Sequence, residues 1–113
     1  MPERTVVSEL LIPADAEAGK AISTLLHEDD NIMVNHVRFR PGDVAASVTR
    51  PRRISLALKG GTLTKVFPDG HTEDMTYEDK QFRVNPPAPV FAPKNNTSEE
   101  IQLYVITLKG QVD

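Results

Sequence analysis

The chain has 113 residues, 39% hydrophobic and 26% charged, with a formal net charge of -3 and no cysteine. That length suits one domain, residues 1–113, with a core of its own, and the mild acidity argues against a general nucleic-acid binder, which carries a basic excess. Without cysteine there is no disulfide framework, thiolate nucleophile or Cys-based metal site, and no apolar run approaches the ~20 residues of a membrane helix.

The opening stretch, MPERTVVSELLIPADAEAGK, mixes acids into its only apolar run, unlike a secretory signal, so cytoplasm is the expected location. Thr5 to Ile12 reads as a first strand stopped by Pro13. Residues 16–26 admit two readings. Ala18, Ala21, Ile22, Leu25 and Leu26 have helical spacing with Asp15 as a cap, yet Gly19 interrupts them and the run meets the turn-like Glu28-Asp29-Asp30-Asn31. From Ile32 to Arg40 a strand pattern is clear. Met33, Asn35, Val37 and Phe39 share one face, and Val34, His36, Arg38 and Arg40 share the other.

Pro41-Gly42-Asp43 makes a turn, and Val44 to Thr49 is a small-residue link. In the centre, Ile54, Leu56 and Leu58 alternate with Arg53, Ser55, Ala57 and Lys59, the period of a strand with one buried face. Gly60-Gly61 breaks the run as turn chemistry, Thr62 to Phe67 is a second strand, and Pro68-Asp69-Gly70 closes it. His71 to Tyr77 pairs back carrying Met75 and Tyr77. A further strand, Gln81 to Val84, turns Phe82 and Val84 inward. Asn85-Pro86-Pro87-Ala88-Pro89 is excluded from any central strand, because its prolines lack the N–H that a ladder needs. Val90 to Ala92 forms a short strand before Pro93. Ile101 to Lys109 is the last strand, apolar on both faces near its end and so expected deep in the domain. Many short strands between Gly/Pro turns indicate an all-β sandwich or barrel.

The ordered set of strand, Pro41-Gly42, spacer, strand, Gly60-Gly61, strand, Pro68-Asp69-Gly70, strand, Pro-rich turn, Asn95 and a final strand ending Leu108-Lys109-Gly110 resembles a small single-domain cupin over about residues 20–110. The resemblance implies a double-stranded β-helix, a jelly-roll barrel, with residues 1–19 as an N-terminal strand and arm. It also favours the strand reading of Ile22 to Leu26. In typical members a first motif supplies two His and a Glu to a metal, and a second motif supplies another His. Here DVAASVTRPRRISLALK stands between Gly42 and Gly60 with no His and no Glu, and the second motif's His, four residues before Asn95, is Phe91. A first-row metal needs several imidazole or carboxylate ligands converging on one point. His27, His36 and His71 are not spaced as such a set. No metal and no cofactor are therefore expected, and the usual metal-dependent cupin activities do not carry over.

Arg50, Arg52 and Arg53 occupy the place of the lost metal motif, with Arg38 and Arg40 just upstream. Their planar forks match carboxylate and phosphate. Either they grip a small anionic ligand at the barrel mouth, with Phe91 and Asn95 as further ligand-binding candidates, or they form a solvated rim paired with Glu73, Asp74, Glu78 and Asp79. His36 and Tyr104 are the candidate acid/base groups, and Tyr77 is another hydroxyl for a pocket. The first reading is a metal-free cupin-fold protein acting as a non-catalytic small-molecule-binding or structural module. The alternative is a metal-independent enzyme, isomerase-, epimerase- or lyase-like, on a small anionic substrate held by arginines. Convergence of His36, Tyr104 and an arginine on one cavity separates the two. Small cupins commonly pair through added strands, so the resemblance implies a homodimer. Leu10, Leu11 and Ile12 in succession suit an interface near the N-terminal segment, with the face carrying Ile106 and Leu108 as the other candidate.

Overall fold

The computed structural model of the chain describes residues 18–109, so the expected strand Thr5 to Ile12 lies outside the described residues. Within them the chain forms strands only: β1 (Ile22–Glu28), β2 (Ile32–Phe39), β3 (Val48–Arg50), β4 (Arg53–Lys59), β5 (Gly61–Val66), β6 (Thr72–Tyr77), β7 (Phe82–Asn85), β8 (Ala88–Lys94) and β9 (Ile101–Leu108). No described helix is long and apolar enough to cross a membrane. The strands make a five-stranded sheet ordered β1-β2-β9-β4-β7 and a four-stranded sheet ordered β3-β8-β5-β6. Neighbouring strands are antiparallel throughout.

Tight turns set the registers. At Arg40 to Asp43 the Asp43 N–H donates to the Arg40 carbonyl at 2.9 Å, and Gly42 takes φ 86°, a conformation open to glycine at no steric cost. The buried Asp43 carboxylate accepts from the Arg40 N–H at 2.9 Å and from its Nε at 2.7 Å, so one acid fixes both the turn and the side chain before it. Gly60 answers a different demand. A Cβ there would stand 2.3 Å from the Tyr77 carbonyl oxygen, so the chain passes from β4 to β5 only with no side chain at that point.

The core forms where the sheets meet: Phe39, Ala57, Ile101 and Leu103 from the larger sheet pack with Leu63, Met75 and Tyr77 from the smaller. Burying each large side chain of that set contributes about 1.5–3 kcal/mol. Ile22 to Leu26 is strand, because its edge pairs with β2 from Ile22↔Arg38 onward. β9 lies between β2 and β4, the interior position expected of it.

Several expectations are corrected. In β4 the inward row is Arg53, Ser55 and Ala57, all buried, while Ile54, Leu56 and Leu58 are only half-buried on the outside. Phe82 and Val84 also point outward, 65% and 53% exposed, because β7 pairs with β4 in the register Leu56↔Phe82 and Ile54↔Val84 and shares its facing. The small-residue link contains β3, paired to β8 at Val48↔Phe91. The proline-rich stretch enters β8 at Ala88, and β8 is an interior strand. It tolerates Pro89 and Pro93 because its pairing is split: Ala88 and Phe91 meet β3, whereas Ala92 to Lys94 meet β5, so few of its N–H groups face two neighbours.

Candidate functional site

Between the sheets lies a cavity of about 730 Å³, within the ordinary size of a small-molecule site, roughly 300–1,000 Å³. Strand alternation decides what enters it. Asn35 and Val37 come from β2, Arg53 and Ser55 from β4, Leu63 from β5, Met75 and Tyr77 from β6, and Val105 and Thr107 from β9. Its wall is apolar over most of its extent, and its charged lining residues are Lys20, Arg50 and Arg53, all cationic. Among the described residues no carboxylate lines it.

Arg50 and Arg53 meet around Phe91, a ring only 1% exposed. The Arg50 guanidinium carbon lies 4.3 Å from the ring centroid, Lys65 Nζ 5.0 Å and the Arg53 guanidinium carbon 5.9 Å. Three cations thus surround one aromatic ring, each drawn by its quadrupole. Carbonyls supply the rest of their partners. Arg50 Nη1 donates to the Val48 carbonyl at 2.8 Å and to the Phe91 carbonyl, and its Nη2 donates to the Ala46 carbonyl at 2.8 Å. Arg53 Nη1 donates to the carbonyls of Pro51 and Pro86, each at 3.3 Å. Neither guanidinium has an ion-pair partner among the described residues, so the alternative pairing with Glu73, Asp74, Glu78 and Asp79 is not made by Arg50 or Arg53. Burial, followed by the neighbouring charge of Arg53, pulls Arg50 down from its ordinary 12.5 to about 10. Burial likewise lowers Arg53. Both guanidiniums are thus partly withdrawn from water with no carboxylate partner among the described residues.

The other candidates lie elsewhere. His36 and Tyr104 face each other across the β2–β9 ladder on the outside of the larger sheet, their rings edge-to-face at 5.9 Å. Neither lines the cavity, so the convergence that an enzyme using them would need is missing. His36 Nε2 donates to Gln102 Oε1 at 3.1 Å, and Gln102 donates in turn to Glu100. Arg38, on the same outer face, pairs with Glu100 at 2.9 Å. Arg52 is absent from the cavity wall and half-exposed. Phe91 is absent from the cavity wall and meets the site through Arg50 and Arg53, whose guanidiniums lie against its ring. Asn95, fully buried, spends its amide on the chain. Its Nδ2 donates to the carbonyls of Phe39 and Glu99, and its Oδ1 accepts from the Thr97 N–H and hydroxyl. That leaves Arg50 and Arg53 of the proposed ligand set in the cavity. Lys20 and Ser55, which line the cavity, were missed. The signal for Ser55 was available, since it shares the parity of Arg53 in β4.

The metal site that the resemblance to cupins implies does not fit the donor chemistry here. At the position that the resemblance gives to a ligand histidine stands Phe91, with the cations of Arg50, Lys65 and Arg53 around its ring, a setting that repels a metal ion. Among the described residues no group of three or more His, Cys, Asp or Glu side chains is placed to hold a metal.

No protein-family model matches the chain, and no curated protein matches it. Solved structures do. A cupin domain from Bordetella pertussis Tohama I superposes with a TM-score of 0.74 at 18% identity, over 84% of this chain and 99% of that one. A cupin 2 conserved barrel domain protein from Salinispora arenicola gives 0.66 at 15% identity, over 97% and 90% of the two chains. An RmlC-like cupin family protein with a double-stranded β-helix fold from Methanocaldococcus jannaschii gives 0.64 at 14% identity, over 93% and 94%. The two antiparallel sheets facing each other across this cavity are therefore those of the cupin fold, the double-stranded β-helix.

Proposed function

We propose that the chain is a non-catalytic, metal-independent small-molecule-binding module of cupin fold, and that its ligand is a small organic anion held in the cavity by Arg50 and Arg53. The observation that carries this reading is a pair of desolvated guanidiniums at an apolar cavity whose described lining holds no carboxylate. Burying charge without a partner is costly, and an anionic ligand would offset that cost. The enzyme alternative is weaker, since its acid/base candidates lie outside the cavity. The chain is proposed to act in the cytoplasm and as a homodimer.

Small carboxylates should raise the thermal midpoint of the wild type, with a gain on the order of 2.7 kcal/mol at a hundredfold excess over Kd. Arg53→Gln should abolish most of that gain. A gain that survives both Arg53→Gln and Arg50→Gln would clear the arginines of the role. Elemental analysis of tag-free protein should find far less than one equivalent of iron, manganese, nickel or zinc; near-stoichiometric metal would sink the metal-independent reading.

A further inference from the structure

We infer that the ligand is an amphipathic monocarboxylate: one carboxylate seated on Arg53 and Arg50, with a compact apolar body lying among Val37, Leu63, Met75, Leu103 and Val105. The inference rests on the anion-binding reading above and narrows it to a chemical class.

Donor accounting at the head of the cavity comes first. Among the described residues Arg53 spends only Nη1, on the carbonyls of Pro51 and Pro86, so the edge formed by Nε and Nη2 has no partner there. That edge is the planar fork that matches two carboxylate oxygens. Arg53 is 7% exposed and is pinned by the two carbonyls, so the fork is already oriented and little freedom is lost when a ligand meets it. Arg50 is more committed, giving Nη1 twice and Nη2 once to carbonyls. It adds charge and its Nε to the site.

A phosphate fits this inventory less well. An arginine fork takes phosphate as well as carboxylate, but the higher charge of a phosphate is commonly met by converging backbone N–H groups as well, at helix N-termini or in glycine-rich nests. The described residues contain no helix, and the strands lining this cavity use their N–H groups in ladders. The wall away from the arginines decides against a second charge on the ligand. Val37, Leu63, Met75, Leu103 and Val105 offer no hydrogen bond. The polar groups nearby are partly engaged: Asn35 Nδ2 donates to Ser23 Oγ at 3.2 Å, and Ser55 Oγ accepts from Asn85 Nδ2 at 3.0 Å. The remaining lining cation, Lys20, is exposed, so a diacid could reach it only at the solvent-facing rim; a second carboxylate seated among these apolar side chains would be buried against hydrocarbon, which is costly for a charged group. An apolar body there gains from burial instead, and the flexible Met33 and Met75 let the wall adapt to its outline.

The test is calorimetric titration of the full chain with five probes: 3-phenylpropionate, its neutral amide, acetate, succinate and inorganic phosphate. We expect 3-phenylpropionate to bind at least tenfold more tightly than each of the others. Arg53→Gln should cost it tenfold or more, and Arg53→Lys, which keeps the charge and loses the fork, should cost less than Arg53→Gln. Val105→Asn should weaken 3-phenylpropionate and leave acetate unchanged. If phosphate or succinate binds most tightly and depends on Arg53, the monocarboxylate class is overturned while the anion site stands. If the amide equals the acid in the wild type, the carboxylate head is overturned, whatever the variants do. If none of the five binds, both this inference and the reading beneath it fail.

Discussion

At the scale of single residues, the polar side chains divide into those spent on the fold and those left for a ligand. Asn95 belongs wholly to the first group, holding the carbonyls of Phe39 and Glu99 with Nδ2 and the Thr97 N–H with Oδ1, at zero exposure. Asn95→Ala would strand buried partners on both sides, so unfolding in denaturant should show a loss of about 2–3 kcal/mol. An effect near zero would mean that water replaces the amide without cost. His36 is 2% exposed, and burial pushes its imidazole below the usual 6.5, against a smaller upward pull from the Gln102 hydrogen bond. The sign follows from linkage. Below about pH 6.5 the unfolded chain takes up a proton that folded His36 refuses, so stability falls as pH drops from the unfolded value toward the lowered folded one. Stability of the wild type should therefore decline between about pH 7 and the lowered folded value, and His36→Gln should flatten that decline. Asp29 titrates in a separate window. The His27 side chain, then the N–H groups of Asn31 and Ile32, hold it at about 2 instead of 3.8, so its contribution is lost only below pH 4.

At the scale of elements, the passage between β4 and β5 is the tightest point. Gly60→Ala would drive a methyl into the Tyr77 carbonyl, a backbone atom with no freedom to yield. A destabilisation of about 2 kcal/mol or more is expected, whereas Gly70→Ala, at a φ of 92° but with nothing within 4 Å, should cost less. If the two variants unfold at the same midpoint, the close approach is unimportant. Strand existence was legible from the sequence because turn chemistry and period-2 alternation are local properties. Facing was not. The alternation of β4 marks two rows but does not say which is inside, and the usual preference for hydrophobic interiors chose wrongly. The pairing of β4 with β7 and β9 sets Arg53, Ser55 and Ala57 on the inner side, so Ile54, Leu56 and Leu58 are left outside. Phe82 and Val84 followed the same misreading, since the β4 register carries them. Asn35, by contrast, was read on the correct face with Met33, Val37 and Phe39, because those apolar neighbours do line the interior.

At the scale of the whole molecule, this inversion leaves one side of the larger sheet rich in apolar surface. Ile54, Leu56, Tyr104 and Ile106 are half-buried there, beside the exposed Phe82 and Val84. An exposed apolar face of this kind has the chemistry of an interaction surface, and the occupant we expect is a second copy, as proposed above. Light scattering at tens of micromolar should find a dimer. The double change Phe82→Lys with Val84→Lys should give a folded monomer that still responds to carboxylates, because neither residue lines the cavity. A monomeric wild type would remove the expectation outright, and a dimer indifferent to the double change would move the contact off this face.

The position of β9 has a bearing on how the chain comes into being. The larger sheet is ordered β1-β2-β9-β4-β7, so the two halves of that sheet are joined solely through the last of the described strands. While the polypeptide is emerging in order, β1 with β2 and β4 with β7 can form as ribbons, but each lacks its neighbour until Ile101 to Leu108 arrives. Such two-stranded ribbons are marginal alone. The molecule is thus committed to closing late, by long-range pairing, and its folding should be slow for its size. A chain stopped before Ile101 should be a protease-sensitive fragment with two open strand edges rather than a smaller stable barrel.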